Sequence, residues 1–258
     1  MLSIKRVTKS FGGVVAILNL DLEIGEGMIF GIIGPNGAGK TTLFNIITGV
    51  LPVTSGDIVF KGQEITTLKP YHINRLGVTR TFQNIRLFPA MTVLENVMMG
   101  QTRLIDSGIA SLIPFYARSK AKGLRLEAES LLEFLGIAEK RDWLVKELPY
   151  ADQRRVEMAR ALSSHPSLLL LDEPTAGMNE EETAEITTDI AKMKDGGRTV
   201  LLIEHDMSVV MGISDRIAVI NFGQKIAEGR PEEIQNDPLV LEAYLGKEEE
   251  ESVYPSQG

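Results

Sequence analysis

The stretch GIIGPNGAGKTT (31–42) contains residues whose types and spacing suit phosphate binding. Gly34, Gly39, Lys40 and Thr41 match the pattern G-x-x-x-x-G-K-[ST]. The glycines let backbone N–H groups turn toward phosphate oxygens, and the lysine adds a point charge for the outer phosphates. The threonine hydroxyl is a ligand for Mg²⁺. An apolar run precedes the loop, and a helix predicted from near Lys40 to near Gly49 presents its positive N-terminal end to the anion.

A second group of candidate residues ends the run SLLLLDEP (167–174). Four leucines predict a buried strand, and Asp172 and Glu173 follow at its C-terminal end, where ligands bind in open α/β sheets. Asp172 is suited to hold Mg²⁺ through water, and Glu173 to accept a proton from an attacking water. Two solvated acids at a strand end are the alternative. With the phosphate loop, the pair predicts a P-loop nucleoside triphosphatase.

The elements that must hold these residues are predicted from hydrophobic patterns. The first residues, MLSIKRVTKSF, alternate in part and predict an edge strand, and MIFGIIG (28–34) predicts a buried parallel strand. Further strands are predicted at VVAILNLDLEI (14–24), GDIVFKG (56–62), TVLLIEH (199–205) and RIAVINFG (216–223). A strand-rich first part and an α/β core thus enclose a helical insertion.

The insertion runs from about 91 to 162, where the pattern becomes helical. Leu124, Ala128, Leu131 and Leu135 fall on one face of a helix, with glutamates opposite.

Composition limits the classes of protein that this chain can represent. It has 258 residues, 43% of them hydrophobic and 24% charged, which predicts a globular fold. The absence of cysteine excludes disulfides and thiolate metal sites. A net charge of −8 disfavours general binding to nucleic acid or anionic lipid. No apolar run reaches the roughly 20 residues of a membrane span, and no signal segment is evident, so the cytoplasm is the expected compartment.

Three further residues occur in a characteristic order. Phe11 is expected in the loop after the first strand, Gln83 lies in RTFQNIRLFP, and His205 ends VLLIEH. Together with the phosphate loop and LLLLDEPTAG, this order resembles the ATP-binding subunit of ABC transporters, from about residue 2 to 246. The resemblance implies an α/β fold: a RecA-like P-loop core with an antiparallel β subdomain and an inserted helical subdomain.

The resemblance also assigns roles. It implies that Phe11 stacks on adenine, that Gln83 links Mg²⁺ to the transmembrane partner and that His205 contacts the γ-phosphate. The implied catalytic residues are Glu173, His205 and Gln83, and the implied metal ligands are Thr41, Gln83 and Asp172. The residues implied to bind ATP are Phe11, Gly34, Pro35, Asn36, Gly37, Ala38, Gly39, Lys40, Thr41 and Thr42.

The stretch LPYADQRRVEMARAL (148–162) occupies the place of the ABC signature, usually Leu-Ser-Gly-Gly-Gln, which faces the nucleotide of a second subunit. The residues implied to act in trans are Leu148, Pro149, Tyr150, Ala151, Asp152 and Gln153. This version has neither the serine hydroxyl nor the glycines. The carboxylate of Asp152 is expected either to repel an incoming phosphate or to stabilise the first turn of its helix.

Several features are similar to branched-chain amino acid importers. They are the Leu-x-Tyr-x-x-Gln-Arg-Arg arrangement, Asn179 in AGMN, the stretch 203–246, and the segment 104–123, whose apolar face favours internal packing over contact with a membrane subunit. The resemblance therefore implies an ATP-hydrolysing motor subunit of such an importer. Three alternatives stay open: a related urea or amide importer, a non-transport ABC ATPase acting on DNA or ribosomes, and a regulatory subunit with poor hydrolysis.

The implied cofactors are ATP and Mg²⁺. The implied partners are a second ABC ATPase subunit in a homo- or heterodimer, two membrane permeases and a periplasmic or extracellular substrate-binding protein, but no nucleic acid. This places the chain peripherally on the cytoplasmic face of the cell membrane. The expected domain covers 1–246, and the acidic tail 247–258 is predicted to be disordered.

Overall fold

A computed structural model describes residues 1–101 and 114–244, with the side chains of 114–120 excepted. The predictions for the tail at 247–258 and for 104–113 lie outside these residues. The chain forms two compact units, one made of Met1–Ile73 and the chain from Thr199 onward, the other of Asn74–Arg198.

The strands of the described residues are β1 (Leu2–Phe11), β2 (Val14–Ile24), β3 (Ile29–Ile33), β4 (Ser55–Phe60), β5 (Gln63–Glu64), β6 (Val78–Arg80), β7 (Leu168–Asp172), β8 (Thr199–Ile203), β9 (Arg216–Asn221) and β10 (Gln224–Gly229). The helices are α1 (Lys40–Ile47), α2 (Pro70–Leu76), α3 (Val93–Met99), α4 (Pro114–Phe134), α5 (Tyr150–Leu162), α6 (Glu180–Asp195), α7 (Met207–Ile213) and α8 (Pro231–Gln235). None of the helices in this part of the chain is long and apolar enough to cross a membrane.

The first unit contains an antiparallel sheet in the order β2-β1-β4-β5. The prediction that β1 is an edge strand is wrong, because β1 pairs with β2 on one side and with β4 on the other. Its alternation buries Leu2 and Ile4, and Val7 is buried after an irregularity in the pairing with β2. Alternation reports which face is buried, whereas edge position depends on hydrogen bonds in the plane of the sheet.

The α/β part of the first unit places β10, β9, β3 and β8 side by side in that order. As predicted, β3 is parallel to both neighbours, and all of its residues are buried. The phosphate-loop stretch leaves the C-terminal end of β3 and enters α1. This strand–loop–helix order is the context that the motif requires.

The second unit pairs β6 with β7 in parallel and packs α3, α4 and α5 against one another. The helices predicted within 91–162 are present, and they share a compact unit with β6, β7 and α6. On α4, Ala128 and Leu132 are buried, and Leu135 follows immediately after the helix with its side chain buried. On α5 the buried face includes Val156, Ala159 and Leu162. These helices therefore rest on apolar stripes at helical spacing.

Candidate functional site

Glycine is needed at two points of the phosphate loop. Gly34 and Gly39 have φ of 150° and 104°. A Cβ at Gly34 would lie 1.9 Å from the carbonyl oxygen of Ile220, and one at Gly39 would lie 2.5 Å from that of Ala16. The backbone can follow this path only without side chains at both positions.

The N-terminus of α1 is open to an anion. Its N-cap, Gly39, has no side chain that could bond the first backbone N–H groups of the helix. The hydroxyl-bearing Thr41 is exposed and Thr42 is half-buried. The first-turn N–H groups of a helix and the positive end of its dipole favour a phosphate here.

Lys40 lies inside the loop, with only 6% of its surface exposed. Its Nζ donates to the carbonyl oxygens of Gly34, at 2.6 Å, and Pro35, at 3.0 Å. The structure thus holds an ammonium group against the loop that was predicted to receive phosphates.

The other predicted residues of the loop differ in exposure. Asn36 and Gly37 are exposed, whereas Pro35 and Ala38 are buried. The carbonyl oxygen of Ala38 accepts a hydrogen bond from the Gly223 N–H at 3.0 Å, which ties the loop to the β9–β10 turn.

Phe11, the predicted adenine platform, is the last residue of β1 rather than part of a loop, because it pairs with Val14 in the β1–β2 hairpin. Its ring is 46% exposed, and the Lys9 ammonium lies 4.8 Å from the ring centre. An exposed ring of this kind offers one face to a planar base.

Tyr244 is a residue near the phosphate loop that the sequence patterns did not single out. It packs against the apolar cluster that contains Ile33, Val210 and Val240. Burial raises the pKa of the Tyr244 phenol, and a hydrogen bond from the backbone N–H of Gly34 opposes the rise. The C-terminal stretch therefore contacts the first glycine of the loop.

In the second unit, Asp172 is the last residue of β7 and is buried. Its Oδ2 accepts from Nη2 of Arg80 at 2.5 Å, so the predicted metal ligand is part of a buried ion pair. Arg80 ends the neighbouring strand β6. No local pattern predicted this partner, which lies 92 residues away.

The structure brings Glu173 and Gln83 together. Nε2 of Gln83 donates to Oε2 of Glu173 at 2.7 Å. Glu173 also has a φ of 49°, a left-handed conformation that costs a non-glycine residue about 1–3 kcal/mol. The predicted proton acceptor is therefore held in a strained backbone position and oriented by the predicted coupling residue.

His205, the predicted γ-phosphate contact, is exposed and lies two residues after the end of β8 in the first unit. Its backbone N–H donates to the Glu204 carboxylate at 3.2 Å. The next residue, Asp206, caps α7 by accepting from the backbone N–H of Ser208. Hydrogen bonds from the Ser208 hydroxyl and from the backbone lower the pKa of Asp206. The histidine is thus fixed between a strand end and a helix start.

The signature stretch begins α5 with Pro149 as the N-cap residue and no side-chain cap. Gln153 closes the turn by donating from Nε2 to the Leu148 carbonyl oxygen at 2.9 Å. Ala151 is buried, and Tyr150 is 42% exposed.

Asp152, the expected source either of phosphate repulsion or of helix stabilisation, bonds two cations of its own unit. Its side chain is 9% exposed, with one oxygen bonded to Nζ of Lys140 and the other to Nη1 of Arg155, at 3.1 Å. Two cations compensate one carboxylate, so Asp152 fastens the first turn of α5 to the Ala138–Lys140 3-10 helix.

Arg155 extends this network to α6. It donates to Glu185 at 2.6 Å and to Asp189 at 3.0 Å. Burial alone would lower the pKa of Arg155, but its hydrogen bonds to Glu185, Asp189 and Asp152 raise it. The guanidinium is therefore a permanent cation that joins two helices of the second unit.

The described residues offer few ligands for a magnesium ion. In the residues that the structure describes, no group of three or more His, Asp or Glu side chains could hold a metal by itself. The predicted ligands are one carboxylate, one hydroxyl and one amide. Such a set fits Mg²⁺, which usually keeps several waters and binds one or two carboxylates together with substrate phosphates.

A glycine loop opening a helix after a buried parallel strand, with an acid pair ending another such strand, defines a P-loop nucleotide-binding protein. Comparison with family models narrows the class: residues 17–176 match the ABC transporter family, and residues 224–250 match the branched-chain amino acid ATP-binding cassette transporter family. The chain belongs to the ABC transporter family.

Comparison with individual proteins supports the same family. The chain is 44% identical to the high-affinity branched-chain amino acid transport ATP-binding protein LivG of Escherichia coli K12, over 96% of this chain and 98% of LivG. It is 43% identical to BraF of Pseudomonas aeruginosa PAO1, a protein of the same description, over the same shares. The ADP conformation of MJ1267, an ATP-binding cassette of an ABC transporter, superimposes with a TM-score of 0.85 at 34% identity, over 95% of this chain and 98% of MJ1267. The predicted α/β ABC ATPase fold is confirmed.

Proposed function

We propose that this chain is the ATP-hydrolysing motor subunit of an ABC importer for branched-chain amino acids. The observation that carries the proposal is the buried Lys40 ammonium, held on the loop carbonyls beside the uncapped start of α1. The cargo assignment is supported by the relatives LivG and BraF and by the C-terminal family match at 224–250.

Binding of Mg-ATP is divided among the predicted residues. Phe11 stacks on the adenine, and the loop N–H groups with Lys40 bind the β- and γ-phosphates. Thr41, Gln83 and, through water, Asp172 would hold Mg²⁺. When bound, the ion neutralises charge that develops on the phosphate oxygens.

Hydrolysis depends on Glu173, which accepts a proton from water as the water oxygen forms a bond to the γ-phosphorus and the bond to the bridging oxygen breaks. His205 stabilises the γ-phosphate. Gln83 takes up one acceptor position of the Glu173 carboxylate in this structure. This hydrogen bond orients the Glu173 carboxylate.

The proposed assembly contains a second ABC ATPase subunit, two membrane permeases and a substrate-binding protein. The signature residues 148–153 act at the nucleotide of the second ATPase subunit. The chain works at the cytoplasmic face of the membrane, where permeases hold it.

ATPase activity of the purified complex tests this function. We expect substrate-binding protein loaded with leucine, isoleucine or valine to stimulate hydrolysis, and urea or acetamide to leave the basal rate unchanged. Stimulation by urea or acetamide alone would move the assignment to the amide importers. Tight ATP binding with no hydrolysis in the whole complex would favour a regulatory subunit.

A further inference from the structure

Arg154, which the proposed roles leave unused, has no exposed surface at all. From the second turn of α5, its guanidinium reaches the backbone of the segment around Gln83. Nη1 donates to the carbonyl oxygen of Phe82 at 2.8 Å, and Nη2 donates to that of Gln83 at 2.9 Å. A buried cation thus holds two consecutive carbonyl groups.

Glu157, one turn further along α5, completes the arrangement. Its Oε2 accepts from Arg154 at 2.7 Å, and both side chains have 0% exposure. Its Oε1 lies 3.5 Å from the backbone nitrogens of Phe82 and Arg86. Burial raises the pKa of Glu157, and the charge of Arg154 opposes the rise.

Tyr150 joins the same group from the start of α5, because its hydroxyl accepts from Nη2 of Arg154 at 3.1 Å. We call Tyr150, Arg154 and Glu157 the α5 clamp. It holds the segment 82–86 by both its carbonyl and its N–H groups. All of these residues belong to the second compact unit.

A buried ion pair is a poor device for stability alone, because apolar residues of similar volume are often as stabilising or more so. Here the two charged side chains make hydrogen bonds that an apolar pair could not make. The hydrogen bonds described above go to the backbone of 82–86 or to another member of the clamp. The pair therefore specifies the position of that segment relative to α5.

We infer that the α5 clamp makes the segment 82–86 and the start of α5 a single rigid lever. Nucleotide that meets the signature end of α5 then also displaces Gln83 and Asn84, whose side chains are exposed. Tyr150, Arg154 and Glu157 are positioning residues in this scheme. The inference rests on the proposed function for the direction of the signal, but the rigidity can be measured on the chain alone.

Arg154→Lys is the decisive variant. Lysine keeps the positive charge beside Glu157 but lacks the planar fork that bonds two carbonyls and a hydroxyl at once. Arg125→Lys is the matched control, since Arg125 makes an exposed i,i+4 pair with Glu129 on α4 of the same unit. Hydrogen–deuterium exchange of the full chain reports the opening of 82–86. We expect amides there to exchange about tenfold faster in Arg154→Lys and at the wild-type rate in the control.

Uptake of leucine per ATP hydrolysed by the reconstituted complex reports the coupling. We expect Arg154→Lys to bind ATP normally and to transport about fivefold less leucine per ATP, with the control unchanged. Wild-type exchange rates in Arg154→Lys would overturn the inference, and so would faster exchange with normal transport. A wild-type complex without ATP-dependent uptake would instead refute the proposed function, while the exchange rates still test the clamp.

A second variant covers the case in which Arg154→Lys does not fold. Arg154→Met combined with Glu157→Leu removes both buried charges, a replacement that is often neutral or stabilising. The double variant must show the same fast exchange at 82–86. A protected segment in a folded double variant would show that apolar packing, rather than the clamp, positions it.

Discussion

At the scale of single residues, we expect ATP binding by the phosphate loop to depend most on Lys40. This lysine is buried against Gly34 and Pro35. Replacing Lys40 by alanine removes the charge that the β- and γ-phosphates meet. We expect Lys40→Ala to weaken ATP binding by about 10-fold or more, a loss typical of a charged hydrogen bond. Isothermal titration with Mg-ATP measures it, with the exposed Lys5→Ala as the control. Tight, Mg²⁺-dependent binding by Lys40→Ala would contradict the assignment.

Replacing Glu173 by glutamine tests the proposed proton transfer most directly, because glutamine has the shape of glutamate and can keep the contact with Gln83. Glu173→Gln should bind ATP normally and hydrolyse it about 10²-fold or more slowly, since the proton acceptor is lost. Glu181→Gln, an exposed acid in the first turn of α6, is the control. Single-turnover hydrolysis by the complex separates binding from chemistry. A normal rate in Glu173→Gln would exclude Glu173 as the base.

The sequence predicted the residues of the phosphate loop and the acid pair Asp172 and Glu173, but not the residues that bond the two acids. The loop follows from its motif because one strand, one turn and one helix contain all of its parts. Arg80 beside Asp172 and Gln83 beside Glu173 are contacts across 92 and 90 residues. Such pairs arise from strand order, which no local pattern contains.

At the scale of elements, the long apolar strands and amphipathic helices were predictable, whereas the shortest elements were not. β6 has three residues and β5 two, too few to show a period. β6 nonetheless carries Arg80, and the segment that follows it carries Gln83. The elements with the weakest sequence signal therefore position part of the site.

The described contacts give Asp152, in the unusual first turn of α5, a structural role. Asp152 joins Lys140 to Arg155, and loss of its charge leaves two cations uncompensated. We expect Asp152→Asn to lower the free energy of unfolding by about 1–3 kcal/mol, as for a largely buried pair. Urea unfolding measures this, and Asp142→Asn is the control because its side chain is 76% exposed.

The same variant tests the alternative that Asp152 repels phosphate. If it did, Asp152→Asn would raise hydrolysis at the nucleotide of the partner subunit. With Glu173→Gln silencing this chain, we expect the rate at that site to stay the same. A clear gain would show that the carboxylate leaves its two cations when nucleotide approaches.

The C-terminal stretch supports the loop through Tyr244. Tyr244→Phe keeps the packing against Val210 and Val240 but removes the oxygen that accepts the Gly34 N–H. We expect a loss of about 0.5–1.5 kcal/mol in the free energy of unfolding, the usual contribution of one hydrogen bond. Tyr71→Phe, on an exposed ring, should change nothing. Equal stability of the two variants would mean that Tyr244 acts through its ring alone.

At the scale of the whole molecule, the net charge of −8 opposes binding to an anionic bilayer. The helices of residues 1–101 and 114–244 include none that could span one. The proposed function attributes attachment to a membrane to the permease partners. The exposed residues beside Gln83 are the natural candidates for that contact, because the α5 clamp fixes the segment that carries them.

Co-flotation with vesicles tests this last point. We expect the chain to stay unbound to vesicles of bacterial lipid and to float with vesicles that contain the permeases. Asn84→Ala, an exposed change in the segment held by the clamp, should reduce that binding, because it removes a polar contact without disturbing Arg154 or Glu157. Asn236→Ala, an exposed change in the other unit, is the control. Binding to bare vesicles would contradict the proposed mode of attachment, and full binding of Asn84→Ala would place the permease contact elsewhere on the chain.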